Sequence, residues 1–312
     1  MEFVFPLITA VLSILVIMKS ASYAINAIID YAKKTGISEY LIGFLVVSIG
    51  TTLPDLSAGI FASLSGQGAL ILGDVIGSNI LDVTVVLGIA AVIARKVKVH
   101  GKIVDRTMFT TLFMVLLPLL LGLDGMISRL DGMILLTAFL VYLSRLLKRE
   151  GELGKVKKDV KWKNIWKDMF VFVGSLIALL LSARWLVISA LRLSYIFNIP
   201  VFVMGLVFVA IGNTTPELMV QIKAVMSGHT TMGFGNILGA VVANSTLVIG
   251  ISSIINPILF DKKAFMIPAL FAVTAVYIGI LFIKKKEVTW QEGIALFLIY
   301  ATFLASEIFL LR

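Results

Sequence analysis

Two stretches of this chain repeat each other at a fixed distance of 162 positions. The first runs from Gly43 through Gly50-Thr51-Thr52-Leu53-Pro54-Asp55 to Gly73-Asp74-Val75-Ile76-Gly77-Ser78 and Asp82. The second runs from Gly205 through Gly212-Asn213-Thr214-Thr215-Pro216-Glu217 to Gly235-Asn236-Ile237-Leu238-Gly239-Ala240 and Asn244. Gly88 and Gly250 keep the same spacing. Both stretches hold acidic residues deep in apolar sequence. A carboxylate at membrane depth is costly and marks an ion pathway by default. Its duplication points to a site shared by two halves of a transporter.

Composition fixes the solvent. Of the 312 residues, 59% are hydrophobic and 14% charged, and the mean hydropathy is +1.04. Ordinary soluble chains carry roughly 25% charge. A membrane-spanning helix needs about 20 apolar residues. Ten such spans are expected, at 3–28, 40–64, 68–94, 106–123, 130–147, 168–191, 199–226, 231–256, 264–283 and 290–311. Continuous apolar runs exclude a β-barrel, whose strands alternate and are only about 9–11 residues long. The first apolar run lacks a basic segment before it and reads as a span rather than a cleavable signal. There is no cysteine, so disulfides and thiolate metal sites are excluded. His100 and His229 fall in expected loops and read as solvated.

Charge sets the orientation. With spans alternating from the N-terminus, one face holds nineteen loop Lys/Arg and the other four. The basic face includes Lys33, Lys34, Arg95, Lys96, Lys98 and Lys284 to Lys286. The positive-inside rule makes it cytoplasmic and puts both termini outside, in the cell membrane. The net charge of +9 reports this asymmetry rather than nucleic-acid binding. Lys19, Arg184, Lys223 and Glu307 lie in or near spans, where snorkelling or ion pairing is expected.

The duplication extends beyond the motifs. Ser20-Ala21 aligns with Ser182-Ala183 at the same offset, and Asp131-Gly132 with Glu292-Gly293 at 161. Each half holds five spans. An odd number inserts the second copy upside down relative to the first, the inverted-repeat plan of secondary transporters. The expected fold is therefore an all-α membrane protein of ten transmembrane helices in two inverted-topology five-helix repeats. The halves are 1–147 and 168–312, with repeats at about 43–90 and 205–252. A basic cytoplasmic linker, 148–167, joins them.

Within span 2, Pro54 removes a backbone donor and Gly50 permits unusual dihedrals. The expectation is unwound backbone, tolerated at membrane depth only inside protein or along a cavity. Carbonyls, hydroxyls and a carboxylate would then share a small volume. That is an oxygen-only site for a hard cation. Span 7 repeats it with Asn213, Thr214, Pro216 and Glu217. Asp55, Asp82 and Glu217 suit a divalent cation exchanged for several monovalent ones, because an unpaired triple charge in low dielectric requires compensation. Asn244 is the counterpart of Asp82. Asp74 and its counterpart Asn236 read either as site residues or as polar groups near a helix start. Gln221, four after Glu217, lines the cavity or merely packs.

At these residues the chain resembles the cation/calcium exchanger superfamily, in particular prokaryotic sodium/calcium exchangers. That family has two inverted repeats, each with a Gly-Thr-Ser-Leu-Pro-Glu-like motif and a Gly-Asn-x-x-Gly-Ser-like helix. The resemblance implies that Asp55 and Glu217 bind calcium directly, and that Thr51 and Asn213 offer backbone carbonyls. It implies that Ser48, Thr52 and Ser78 occupy one flanking sodium site, that Ala210 and Thr214 lie in the other, and that Asp82 and Asn244 form the central polar pair. Spans 2, 3, 7 and 8 would form the core, with spans 1 and 6 sliding across it. There are departures. Asp55 stands for the usual Glu and Asn213 for the usual Thr. The central Asn and Asp are exchanged between halves, and Ala240 stands where a serine hydroxyl would help hold sodium.

The expected function is a secondary antiporter moving Ca2+ outward against Na+ by alternating access. The alternatives are a proton-coupled antiporter of Ca2+ or another divalent ion, and, in a different class, a cation channel. No nucleophile–base constellation marks an enzyme. Expected partners are Ca2+, Na+ or H+ and membrane lipid, with no cofactor, no nucleic acid and no obligate protein partner.

Overall fold

The computed structural model describes residues 3–35, 48–98, 102–151, 165–228 and 230–310. Gly43, His100, His229 and most of the basic linker lie outside them. The chain is helical in long runs: α1 (Val4–Thr35), α2 (Ile49–Leu64), α3 (Gly68–Leu81), α4 (Leu87–Ala94), then α5 (Lys102–Leu121), α6 (Arg129–Gly151) and α7 (Ile165–Phe197). The second part continues with α8 (Ala210–Met226), α9 (Thr230–Val242), α10 (Ile249–Ile255), α11 (Lys262–Lys284) and α12 (Trp290–Leu310). Helices satisfy every backbone group within one segment, which hydrocarbon demands. Among the described residues, seven helical segments are long and apolar enough to cross a membrane, and Val4–Ser20 and Met108–Asp124 are shorter apolar helices.

Burial separates core from rim. The segments Gly68–Ala94 and Gly233–Ile255 are 78% and 83% buried over their most apolar windows; those of α6 and α12 are 28% and 22%. The first pair carries the small-residue motifs. Small residues let helix backbones approach, which is how helices associate in lipid. Gly73 and Gly205 show how close. A Cβ on Gly73 would lie 2.0 Å from the Phe202 carbonyl oxygen, and one on Gly205 1.9 Å from that of Leu70.

Several local structures occur twice at the offset of the sequence repeat. Asp131 Oδ2 accepts from the Ser128 N–H at 2.8 Å and its hydroxyl at 2.6 Å, closing a capping box at the start of α6. Glu292 does the same for Thr289 at the start of α12, at 2.8 and 3.1 Å. Just inside these caps, a Cβ on Gly293 would lie 2.8 Å from Gly88 O, and one on Gly132 2.8 Å from Gly250 O. Two short antiparallel ribbons form likewise. β1 (Lys96–Lys98) pairs with β4 (Glu287–Thr289), and β2 (Met126–Ile127) with β3 (Ile258–Leu259). Each ribbon and each glycine contact joins an element of the first half to one of the second.

The expected unwinding around Gly50–Asp55 does not occur. α2 is helical from Ile49 and α8 from Ala210, with Pro54 and Pro216 inside them. The irregularity lies one turn upstream. Met204–Val209 is a π-helical turn, and Ser48 has the same register. The prolines themselves, with the carbonyls four residues before them, lie inside regular α-helix. Neither proline has an N–H for the carbonyl four residues earlier, that of Gly50 or Gly212.

Further π-helical turns, Asp82–Val86 and Ala243–Val248, interrupt the runs α3–α4 and α9–α10. The Thr84 hydroxyl donates to Ile80 O at 2.5 Å and the Thr246 hydroxyl to Val242 O at 2.6 Å. Both are bonds to the carbonyl four residues earlier, at the entry to the turn.

Candidate functional site

The two helices with the Pro-acid pairs, α2 and α8, pack against the runs α3–α4 and α9–α10 in the core. Asp55 projects from α2, Glu217 from α8, Asp74 and Ser78 from α3, and Asp82 opens the π-turn after α3. All five side chains are at most 1% exposed. Burying so many carboxylates is unfavourable unless a bound cation or protons compensate them.

Asp74 is no helix-terminal charge, because it lies a full turn inside α3. Its Oδ2 accepts from Asn213 Nδ2 at 2.9 Å, and the Ser78 hydroxyl is 3.4 Å from its Oδ1. The same hydroxyl is 3.5 Å from Asp55 Oδ1, a long contact shared between two carboxylates. The equivalent cross-half contact is Thr51 to Asn236: the hydroxyl is 3.3 Å from Asn236 Oδ1 and donates to Ser48 O at 3.1 Å. The residues aligned with Asp74 and Asn213 are Asn236 and Thr51, so the two bonds are counterparts.

Asp82 and Glu217 are different in kind. Both oxygens of each are buried without a hydrogen-bond partner among the described residues. Glu217 lies within electrostatic reach of Asp55, Asp82 and Thr51. The Asn244 and Asn213 amide oxygens and the Thr52 and Thr214 hydroxyls are likewise buried and unpartnered. Ala210 is fully buried, with its Cβ 2.8 Å from where a Cβ on Gly77 would be. Ser48 is fully buried.

Of the expected residues, the structure brings Asp55, Asp74, Ser78 and Asn213 together and sets Thr51 against Asn236, with Asp82 and Glu217 within electrostatic reach of Asp55. Among the described residues, no three Asp, Glu, His or Cys side chains form a ready metal cage. The acids are interleaved with hydroxyls and amides instead. That mixed shell suits a hard cation held weakly enough to leave again.

Asn79 and Ser245 were not anticipated. Asn79 Nδ2 donates to Ser245 Oγ at 2.8 Å, tying the two π-turn runs together. Their aligned counterparts, Val241 and Val83, are apolar, so no repeat signal marks them. Thr84 and Thr246 do carry one, being 162 apart. Glu307, expected to snorkel or pair, is 4% exposed and its Oε1 has no partner among the described residues. It lies far along α12, outside this cluster.

The family model for sodium/calcium exchanger protein matches residues 5–148 and 167–309. The chain belongs to that family. It is 32% identical over 267 residues to Inner membrane protein YrbG of Escherichia coli, covering 82% of this chain and 81% of that protein. It is 26% identical over 337 residues to Sodium/calcium exchanger MaX1 of Methanosarcina acetivorans, covering 94% and 95%. A solved structure of the sodium-calcium exchanger NCX_Mj, soaked with Na+ and Sr2+, superposes with a TM-score of 0.74 at 23% identity, over 97% of this chain and 98% of that one. At that identity the match speaks to the fold. The protein is an integral, multi-pass member of an exchanger family, and an exchanger moves ions rather than transforming a substrate.

Proposed function

We propose that this protein is a secondary active antiporter that exchanges Ca2+ for Na+ by alternating access. The observation that carries the reading is the set of buried, uncompensated oxygens at the junction of the two halves. Glu217 and Asp82 have four carboxylate oxygens with no donor, and no lysine, arginine or histidine is paired with them among the described residues. Such a site is stable when its charge is matched by cargo. One divalent ion or several monovalent ions satisfy it, and the empty site resists crossing. This is the energetic basis of obligatory exchange.

Asp55 and Glu217 bind calcium through their carboxylates, and Thr51 and Asn213 through backbone carbonyls. Asp82 and Asn244 complete the central polar pair. Ser48, Thr52 and Ser78 hold one sodium ion, and Ala210 and Thr214 contribute to the other sodium position. Asp74 and Asn236 hold Asn213 and Thr51 in place.

The chain has ten spans in two inverted five-helix repeats, 1–147 and 168–312, joined by the basic linker 148–167. Support comes from the seven long spans, the two shorter apolar helices and α2, whose preceding residues lie outside the description. The family model's split into 5–148 and 167–309 supports the halves. The paired capping boxes, glycine contacts and ribbons support their equivalence. An odd span number per half makes the repeats antiparallel. The basic loops face the cytoplasm of a cell membrane and both termini face outside. A channel is not favoured, since a continuous pore needs no pair of equivalent halves.

The test is calcium uptake into proteoliposomes with the membrane potential clamped, driven by an outward sodium gradient or an outward proton gradient. Sodium-driven uptake is expected. Uptake driven by protons alone would overturn the sodium assignment. Conductance without counter-ion flux would overturn antiport.

A further inference from the structure

One helical turn beyond each Pro-acid pair, the two repeats diverge in a matched way. Four residues after Glu217 stands Gln221; four after Asp55 stands Gly59. Gln221 is fully buried, and both its amide oxygen and nitrogen lack a partner among the described residues. It has space because the facing helix α9 offers Gly233, where a Cβ would lie 2.4 Å from Gln221 Oε1. At Gly59 the polar group comes from the other helix. The Ser252 hydroxyl, from α10, lies 2.6 Å from where a Cβ on Gly59 would be. It too is fully buried and unpartnered.

The aligned residues show that the difference is one-sided. Ser252 corresponds to Ala90, and Gly233 to Ile71. Both buried polar groups thus come from the second half, where the first has Gly59 and Ala90, and each of the two levels holds one of them. The two levels flank the site on opposite sides. From Asp55, α2 runs to Gly66 beside Asn256 and to the β2–β3 ribbon. The next group that way, Asn256 Nδ2, contacts Ser63 O at 3.4 Å. From Glu217, α8 runs the other way along α4, which leads into β1.

We infer that Ser252 and Gln221 are relay ligands on the two access routes to the central site, each receiving a hard cation as it enters or leaves on its own side. The reason is chemical. Leaving a buried polar group unpaired costs about 1–3 kcal/mol. A group that contacts a dehydrated cation in transit recovers that cost during passage. The routes differ in donor. A short hydroxyl on a helix opposite a glycine is fixed in place. A long side-chain amide on the same helix as the acid swings toward Glu217 or away from it. The inference rests on the exchanger reading of the central site.

The chain has no cysteine, so Ser252→Cys and Gln221→Cys each introduce a single thiol into the full-length protein. A membrane-impermeant cationic thiosulfonate is added to one side of oriented proteoliposomes. Ser252→Cys is expected to react only from the β2–β3 side and Gln221→Cys only from the other, with calcium slowing both reactions. Alongside, Ser252→Ala and Gln221→Ala are expected to raise the KM for calcium roughly tenfold on their own side, leaving maximal flux and the opposite KM unchanged. Gln221→Met, which keeps length without polarity, stands in if the alanine variant does not reach the membrane. Labelling from both sides without calcium protection, no labelling at all, or equal KM changes on both sides would each overturn the inference. Side-specific labelling does not depend on the counter-ion, so it can succeed where sodium dependence fails, and the reverse.

Discussion

Within the buried polar cluster the first repeat supplies Asp74 and the second supplies Asn236. Each faces the opposite half: Asp74 accepts from Asn213 at 2.9 Å, and Asn236 Oδ1 lies 3.3 Å from the Thr51 hydroxyl. Asp74 brings a full charge and the shorter bond; Asn236 brings a dipole. Elsewhere the halves agree closely, in the caps at Asp131 and Glu292, the glycine contacts and the threonines of the π-turns. The comparison teaches that the duplicated scaffold fixes where oxygens stand. The charge each one carries varies between the copies.

The strongest way to break the comparison is to remove a charge the two halves share. Glu217→Gln or Asp55→Asn is expected to cut calcium flux more than a hundredfold, since losing one partner of a buried charged contact costs about 3–5 kcal/mol. Near-normal flux in a folded variant would show that these acids do not hold the cargo. Next is the packing both copies depend on. Gly73→Ala places a methyl group against the Phe202 carbonyl. Backbone must move there, and about 1–3 kcal/mol of stability should be lost, seen as a lower melting temperature in detergent. An unchanged melting temperature would mean that α3 is free to slide.

Asp74→Asn makes the two repeats alike at a position where one carries a charge and the other a dipole. Roughly tenfold weaker calcium affinity is expected from the lost charge-assisted bond, read by isothermal titration. The melting temperature should not fall, because an uncompensated buried charge is itself unfavourable. A lower melting temperature with unchanged affinity would assign Asp74 to structure alone. The smallest effect is expected from Ala240→Ser, which gives the second repeat the hydroxyl that Ser78 supplies to the first. One added neutral ligand is worth about 0.5–1.5 kcal/mol, so the sodium concentration for half-maximal exchange should fall several-fold. Unchanged sodium dependence would make that position irrelevant to coupling.

Much of this was legible in the chain. The offset of 162 located the motif pairs, and the paired threonines at 84 and 246 obey it too. What it concealed has identifiable causes. Pro54 and Pro216 read as helix breaks, yet α2 and α8 run through both, because burial in the core holds the helix despite one missing backbone bond. Asn79 and Ser245 meet across the halves although neither has a polar counterpart. Asp74 read equally well as a charge near the helix start; its bond from Asn213 of the other half is what the sequence did not show.

By itself the sequence determined the solvent, the duplication and the residue types at the site. Those follow from local counts: apolar length against membrane thickness, and identity at a fixed spacing. Only the tertiary structure decided which oxygens face one another and which stay unpaired. Hydrogen bonding depends on distances of a few ångströms between segments far apart in the chain, such as Asp74 and Asn213. No local pattern encodes such a distance. It is set when glycines such as Gly73 and Gly205 let the backbones of the two halves close on each other.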